Sequence, residues 1–333
     1  MKGYALIGEL TNDNSGYSKW GLARQDGKLW FIKEFLSPVY PMDASVLTPE
    51  RMAQRRTACT RFADERTALY RAVNRAACGG VVRIRDYFRS GSRYYIVTEL
   101  LKNTFSDPQR VAALPEGERV LLCRLIAYAL CRLHRQGVVH FDIKPSNILI
   151  CTNVRGVHVP KLIDFDGSFL RENPPKAEQE VTGDLTYLAP ETLLLMQGED
   201  VTVGSAADVF ALGLVLHQYW CGCLPTLSDG MDYPFEEVLE RGSLRLDSAL
   251  RPSLASLIGS MLSRQPEDRP TMEQVLHALT PAGLRRTDTP AAAPETPAPE
   301  TPAPKTPAPK SPAPEPPVPE APAAPWFRRA GDL

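Results

Sequence analysis

The stretch HFDIKPSNILI, residues 140–150, sets Asp142, Lys144 and Asn147 just ahead of an aliphatic run. Pro145 rules out a continuing helix, so the polar residues belong to a turn that follows the apolar segment ERVLLCRLIAYALCRLHRQG, residues 118–137. Aliphatic residues at helical spacing and a closing glycine make that segment a buried helix. Each polar residue then has a defined use. A carboxylate at Asp142 orients an attacking hydroxyl or accepts its proton, Lys144 neutralises a transferring phosphoryl oxygen, and Asn147 offers an amide oxygen to a metal. Taken alone, the same spacing also suits a solvated turn.

Working outward, KLIDFDGSF, residues 161–169, places Asp164 at the end of a short strand. Hard cations such as Mg²⁺ take oxygen ligands and few protein groups, so Asp164 and Asn147 make a credible metal pair. Towards the N-terminus, YALIGEL, WGLARQDG and KLWFIKEF read as three strands of a small antiparallel sheet, and SRYYIVTELL, residues 92–101, as a further strand. Lys33 on the third strand is placed to reach the α and β phosphates of a nucleotide. A helix begins near Thr48, with Pro49 and Glu50 in its first turn, and carries Glu65, expected to pair with Lys33. The pattern is one of two lobes, a small sheet with one helix followed by a mostly helical half.

The chain of 333 residues has ample length for a real core, and its formal net charge of -1 gives no general pull towards nucleic acid or anionic membrane. MKGYALIGEL lacks the features of a secretion signal, and no apolar run reaches membrane-spanning length, which points to a cytoplasmic protein. Seven cysteines are scattered, and Cys221-Gly222-Cys223 is too tight for the usual metal or redox pair. From Pro281 the composition shifts to repeats of the type TPAPE, expected to form an extended, disordered Pro-rich tail over 281–333. Thr296, Thr301, Thr306 and Ser311 fall at equivalent places in that repeat. It ends with Trp326, Phe327, Arg328 and Arg329, a frayed end or a short docking motif.

Taken in order, these segments resemble the eukaryotic-type Ser/Thr protein kinase family across roughly residues 4–280, and the sequence looks like a divergent bacterial member. The resemblance implies an α+β, bilobal protein-kinase-like fold: a small β-rich N-terminal lobe over about 1–98 and a larger helical lobe over about 102–280. It implies Lys33 as the phosphate-binding lysine with Glu65 as its partner, Asp142, Lys144 and Asn147 as the catalytic loop, and Asp164 as the main Mg²⁺ ligand. Thr98 guards the back of an adenine pocket whose hinge runs from Glu99 to Leu101. YLAPE (187–191) resembles the end of the activation segment, DVFALG (208–213) the helix that anchors the catalytic loop, and Arg269 the partner of Glu191. ATP and Mg²⁺ (or Mn²⁺) are the implied cofactors, and a protein carrying Ser or Thr the implied substrate.

Departures from the family pattern carry their own expectations. The glycine-rich loop is absent, and Gly16 is the residue left to bring backbone N–H groups near the phosphates. Phe141 stands where an arginine usually pairs with a phosphorylated activation segment, so control by that route is not expected. Asp166 replaces a glycine after Asp164-Phe165 and is expected to face solvent or cap the turn, with a second carboxylate near the metal as the alternative. Asp184 takes the place of a threonine that contacts the catalytic residues: a carboxylate there could bind Lys144 but would repel Asp142, so either Thr182 or Thr186 takes over the contact or the substrate-binding platform is unusual. An insertion before Glu65 carries Arg51, Arg55, Arg56 and Arg61, which form either a solvated face or a surface for a regulatory partner. The Pro-rich tail is a second surface of that kind. The reading is an ATP-dependent Ser/Thr protein kinase with autophosphorylation. The alternatives are a nucleotide-binding pseudokinase or scaffold, and a kinase of a non-protein hydroxyl.

Overall fold

The computed structural model describes residues 1–12, 18–42, 48–176 and 184–280. Gly16, Thr182 and the Pro-rich segment 281–333 lie outside the described residues.

Strands β1 (Ala5–Thr11), β2 (Ser18–Gln25) and β3 (Lys28–Phe35) follow one another as the alternation of side chains requires. Helix α1 (Pro49–Ala76) intervenes before β4 (Ile84–Ser90) and β5 (Arg93–Glu99) complete a five-stranded sheet in the order β1-β2-β3-β5-β4. Every neighbouring pair is antiparallel. Because β3 is central, Lys33 lies opposite Trp20 on β2 and Ile96 on β5. Its alternate neighbour Ile32 packs with Tyr4, Ala23, Phe88, Tyr95 and Val97 on the other face.

Helix α1 starts where its chemistry says it should. Thr48 caps it by accepting from the Arg51 N–H at 3.4 Å, and Pro49 takes the first helical position. It is clamped at its far end by Asn74, whose side chain donates to the Ile84 carbonyl at 2.9 Å and accepts from the Ile84 N–H at 3.1 Å. Leu69, Tyr70 and Val73 are buried, whereas Arg51, Arg55, Arg56 and Arg61 are exposed.

Beyond β5 come β6 (Thr104–Phe105), α2 (Pro108–Ala112), α3 (Glu116–Arg135) and β7 (Val138–Val139). The catalytic-loop segment follows, then β8 (Ile148–Thr152), β9 (His158–Leu162) and β10 (Phe169–Leu170). Helices α4 (Pro190–Met196), α5 (Ser205–Cys221), α6 (Pro234–Arg241), α7 (Pro252–Met261) and α8 (Met272–Ala278) complete the C-terminal half. The architecture is an N-terminal antiparallel sheet and a helical C-terminal part, as the sequence predicts.

Helix α5 is apolar on every side, with residues from Ala207 to His217 all buried, so it runs through the core instead of lying on its surface. It stops at Gly222, whose φ of 76° supplies the left-handed conformation that closes the last turn. Asp208 sits in its first turn and is carried into the interior, where a carboxylate must find donors. The expected pair of Glu191 and Arg269 forms beside it. Arg269 donates from both terminal nitrogens to the two Glu191 oxygens, at 2.7 and 2.8 Å, and the pair is buried.

Candidate active site

The catalytic loop is built outward from Asp208. Its carboxylate accepts from the His140 N–H at 2.9 Å, the Phe141 N–H at 2.7 Å and the His134 ring at 2.9 Å. Phe141 has φ 69°, a left-handed conformation costing about 1–2 kcal/mol for a residue with a Cβ. The bond from its own N–H to Asp208 offsets that cost. Burial pushes the Asp208 carboxyl up, but the His134 contact, the charge of His140 and the Phe141 N–H together bring it below the ordinary value. His140 is fixed from its other side by its Nε2 contact to the Ile163 carbonyl at 3.0 Å, and the Ser168 hydroxyl donates to the His140 carbonyl at 2.8 Å.

With the loop so held, Asn147 donates from its amide nitrogen to the Asp142 backbone oxygen at 2.9 Å and to its carboxylate at 2.7 Å. Lys144 reaches the same carboxylate at 3.2 Å. Asp142 thus carries a cation and an amide donor against one oxygen. The three polar residues of the opening motif come together as one cluster. Using its amide nitrogen on Asp142 leaves Asn147 its amide oxygen, the atom a divalent cation would take.

Asp164 follows β9 with φ 64°, a left-handed conformation that aspartate accepts more readily than most residues. Lys33 donates to Asp164 at 2.8 Å and to Asp166 at 2.7 Å. Burial would lower the Lys33 ammonium, yet the Asp166 and Asp164 charges outweigh it and raise the pKa above that of a free lysine. The two carboxylates part company. Burial raises Asp164, but Lys33 overcomes it and the net shift is downward. For Asp166, burial and the neighbouring Asp164 charge prevail over Lys33, and the shift is upward.

Two expectations are corrected here. Glu65 is exposed, and the carboxylates on Lys33 are Asp164 and Asp166. The helix residue turned to the site is its neighbour Arg66, which donates to the carbonyls of Phe165, Asp166 and Ser168 at 3.2, 2.8 and 3.3 Å. One residue is 100° of helix rotation, enough to move a side chain from the inner face to solvent. Asp166 in turn is not a free solvent-facing or turn-capping group, because its partly exposed carboxylate is engaged by Lys33. Its φ is not positive, so the backbone does not require a glycine there. A buried Lys beside a D-x-D pair was the available signal, and long-range pairing was what the sequence reading lacked.

Asp184 contacts neither Lys144 nor Asp142. It accepts from the Thr186 N–H at 3.0 Å and caps the short turn at Leu185–Tyr187.

The face of the sheet that carries Lys33 also carries Phe31 and Thr98. Phe31 lies two residues before Lys33 and directly opposite Thr98, so all three share one face. Trp20 and Phe31 stack there, with ring centroids 5.7 Å apart, an aromatic pair that the sequence reading missed. Glu99 turns its side chain away into bonds with the Arg83 N–H at 2.9 Å and Lys161 at 2.5 Å. Its own N–H donates to the Arg83 carbonyl at 3.1 Å. Leu101 lies past the end of β5, outside the strand ladder.

The donor set of Asn147, Asp164 and the adjacent Asp166 is all oxygen, which fits Mg²⁺, an ion that keeps several waters and needs one or two carboxylates plus substrate phosphates. Among the described residues no cluster of three or more His, Cys, Asp or Glu side chains suggests a self-sufficient metal site. A metal here would depend on nucleotide for the rest of its shell.

Lys33 on Asp164 and Asp166, and the Asp142-Lys144-Asn147 cluster, are joined through the Ile163 N–H, which donates to the Asn147 carbonyl at 3.0 Å. The protein kinase domain family matches residues 50–279, and the chain belongs to that family. It is similar to an Aurora kinase of Dictyostelium discoideum, 30% identical over 199 residues, 59% of this chain and 49% of that protein. It is also similar to the calcium/calmodulin-dependent protein kinase cmkA of Emericella nidulans, 28% identical over 201 residues, 59% of this chain and 47% of that one. A third relative is the CBL-interacting protein kinase 24 of Oryza sativa subsp. japonica, 30% identical over 197 residues, 59% of this chain and 42% of the other. The matched region spans less than half the length of each of these three relatives. The family match begins at α1, so β1 to β3 and Lys33 precede it. Among the described residues, no helix is long and apolar enough to cross a membrane.

Proposed function

We propose that the chain is an ATP-dependent protein kinase that transfers the γ-phosphoryl group to Ser or Thr hydroxyls. The observation that carries this reading is the single cluster of Asp142, Lys144 and Asn147, with Lys33 bonded to Asp164 and the two segments tied by the Ile163 N–H to the Asn147 carbonyl. The hydroxyl oxygen of the substrate attacks the γ phosphorus, the bond to the β-phosphate oxygen breaks, and ADP leaves. Asp142 orients that hydroxyl and takes its proton, while Lys144 neutralises charge on the transferring oxygens. Lys33 binds the α and β phosphates. Mg²⁺, held by Asn147 and Asp164, would neutralise charge on the phosphates. The adenine is taken by the hinge backbone from Glu99 to Leu101 beneath Thr98, with the Trp20 and Phe31 rings on the sheet face beside it.

Lysine at position 144 supports aliphatic hydroxyl acceptors, and a further relative, 29% identical over 212 residues, is named a serine/threonine-protein kinase. The free cysteines support a reducing compartment, the cytoplasm. The four exposed arginines of α1 support an acidic regulatory partner on that helix.

The test is transfer of labelled γ-phosphate from ATP and Mg²⁺, to the protein itself and to a generic basic protein. Asp142→Ala is expected to lower the rate by about 10²–10⁴-fold, the worth of a positioned general base. Lys33→Ala should do likewise. No label on wild type despite measurable ATP binding would overturn the proposal.

A further inference from the structure

Among kinase-type sites, the phosphate-binding lysine is ordinarily held by a glutamate of the adjacent helix. In this chain the charges are exchanged between helix and metal loop. The helix presents Arg66 to the site, and the loop presents a carboxylate at Asp166 where a glycine is usual. We propose that Asp166 is the residue that positions Lys33 for phosphate binding, and that Arg66 is the positioning residue that ties α1 to the metal loop.

The geometry supports each half. Lys33 sits between Asp166 at 2.7 Å and Asp164 at 2.8 Å, so it has one carboxylate to spare when Asp164 is drawn to a metal. Glu65 offers no substitute, because it lies on the solvent side of α1. Arg66 is itself seated over the Phe62 ring, 5.6 Å from its centroid, and its N–H groups converge on three carbonyls of the loop 165–168. Those bonds go to main chain, so they read the path of the loop and not the identity of its side chains. A carboxylate in place of Arg66 would face those carbonyls and repel them.

The consequence is regulatory. Where the lysine's partner is on the helix, moving the helix breaks the pair. Here the pair is internal to β3 and the metal loop, and moving α1 displaces the loop as a whole through Arg66. This inference rests on the reading of Lys33 as the phosphate-binding lysine.

The experiment compares wild type with Glu65→Ala, Asp166→Asn, Asp166→Gly and Arg66→Ala, with circular dichroism to establish that each is folded. Three readouts are used: kcat and KM for phosphate transfer, the ratio of the Kd of adenosine to that of ADP by calorimetry, which reports the grip on the phosphates, and amide hydrogen exchange in the loop 165–168. Glu65→Ala should leave all three unchanged. Asp166→Asn and Asp166→Gly should lower kcat by about tenfold to a hundredfold, as befits loss of one charge-assisted hydrogen bond, and shrink the adenosine-to-ADP ratio. Arg66→Ala should speed amide exchange in the loop 165–168. A merely structural role for Asp166 would leave the adenosine-to-ADP ratio in place. The proposal is overturned if Asp166→Asn leaves that ratio unchanged, or if Arg66→Ala leaves exchange in the loop unchanged. Should wild type fail to transfer phosphate, the binding ratio and the exchange rates decide this proposal, so the two readings fail separately.

Discussion

The two sides of the candidate site are held by different means. The catalytic loop hangs from Asp208, a side chain with no exposure, through bonds to main-chain N–H groups. Lys33 is held on the other side by two partly exposed carboxylates, at 32% and 24% side-chain exposure. A buried acceptor with several donors contributes to stability, because removing it leaves those donors without partners. A solvent-accessible ion pair contributes little to stability, yet it fixes where a charge sits. Damage to the first side should therefore show in melting, and damage to the second in turnover.

The largest effect is expected beneath the catalytic loop. Glu191→Ala leaves the Arg269 guanidinium buried and unpaired, and should cost about 3–5 kcal/mol, read by chemical denaturation. A loss below 1 kcal/mol would show that the pair is not buried in solution.

Asp208→Asn should cost about 1–3 kcal/mol, since the amide keeps an oxygen but introduces N–H groups where acceptors are needed. Its pH dependence has a definite sign. The folded-state pKa of Asp208 is depressed, so its contribution is fully present above the ordinary value of 3.8 and is lost as pH falls through the folded value. The gap in Tm between wild type and Asp208→Asn should be constant from neutral pH down to about 5 and narrow only well below that.

Asp166→Asn sharpens the contrast because its sign is opposite. Burial and Asp164 raise the folded pKa of Asp166, so the native state binds that proton more tightly than the unfolded chain does. Its charge therefore weighs against folding at neutral pH. The variant should melt at the same temperature as wild type or slightly higher, with the difference vanishing as pH falls from the raised folded value through 3.8. A clear drop in Tm at neutral pH would erase the distinction between the two sides.

The smallest effects belong to the outer face of α1. Arg55→Ala and Arg56→Ala, both at exposed positions, should change stability by no more than about 0.5 kcal/mol. Denaturation midpoints equal to wild type are the expected result.

The legible parts of this molecule were those in which chemistry and position are close together in the chain. Asp142, Lys144 and Asn147 lie within six consecutive residues, and a turn that short brings them together by covalent geometry. Helix α1 announced itself through Thr48 and Pro49, and the strands through their alternation. The DVFALG helix and the Glu191–Arg269 pair were legible for another reason: both were implied by the family resemblance of longer motifs, and not by the local chemistry of their neighbours.

The exchange of Glu65 for Asp166 on Lys33 was decided by tertiary structure. Adjacent residues of a helix differ in direction by 100°, and a long helix preceded by an insertion leaves its rotation unspecified until its buried face is packed. Packing of Leu69, Tyr70 and Val73 turned Arg66 inward and Glu65 out. The Trp20 and Phe31 stack arose the same way, from a β2–β3 register that no single strand encodes. Sequence alone determined which charged groups this protein possesses and the short loop that gathers three of them. Burial, helix rotation and strand register decided which distant charges meet, because those depend on the packing of many side chains at once.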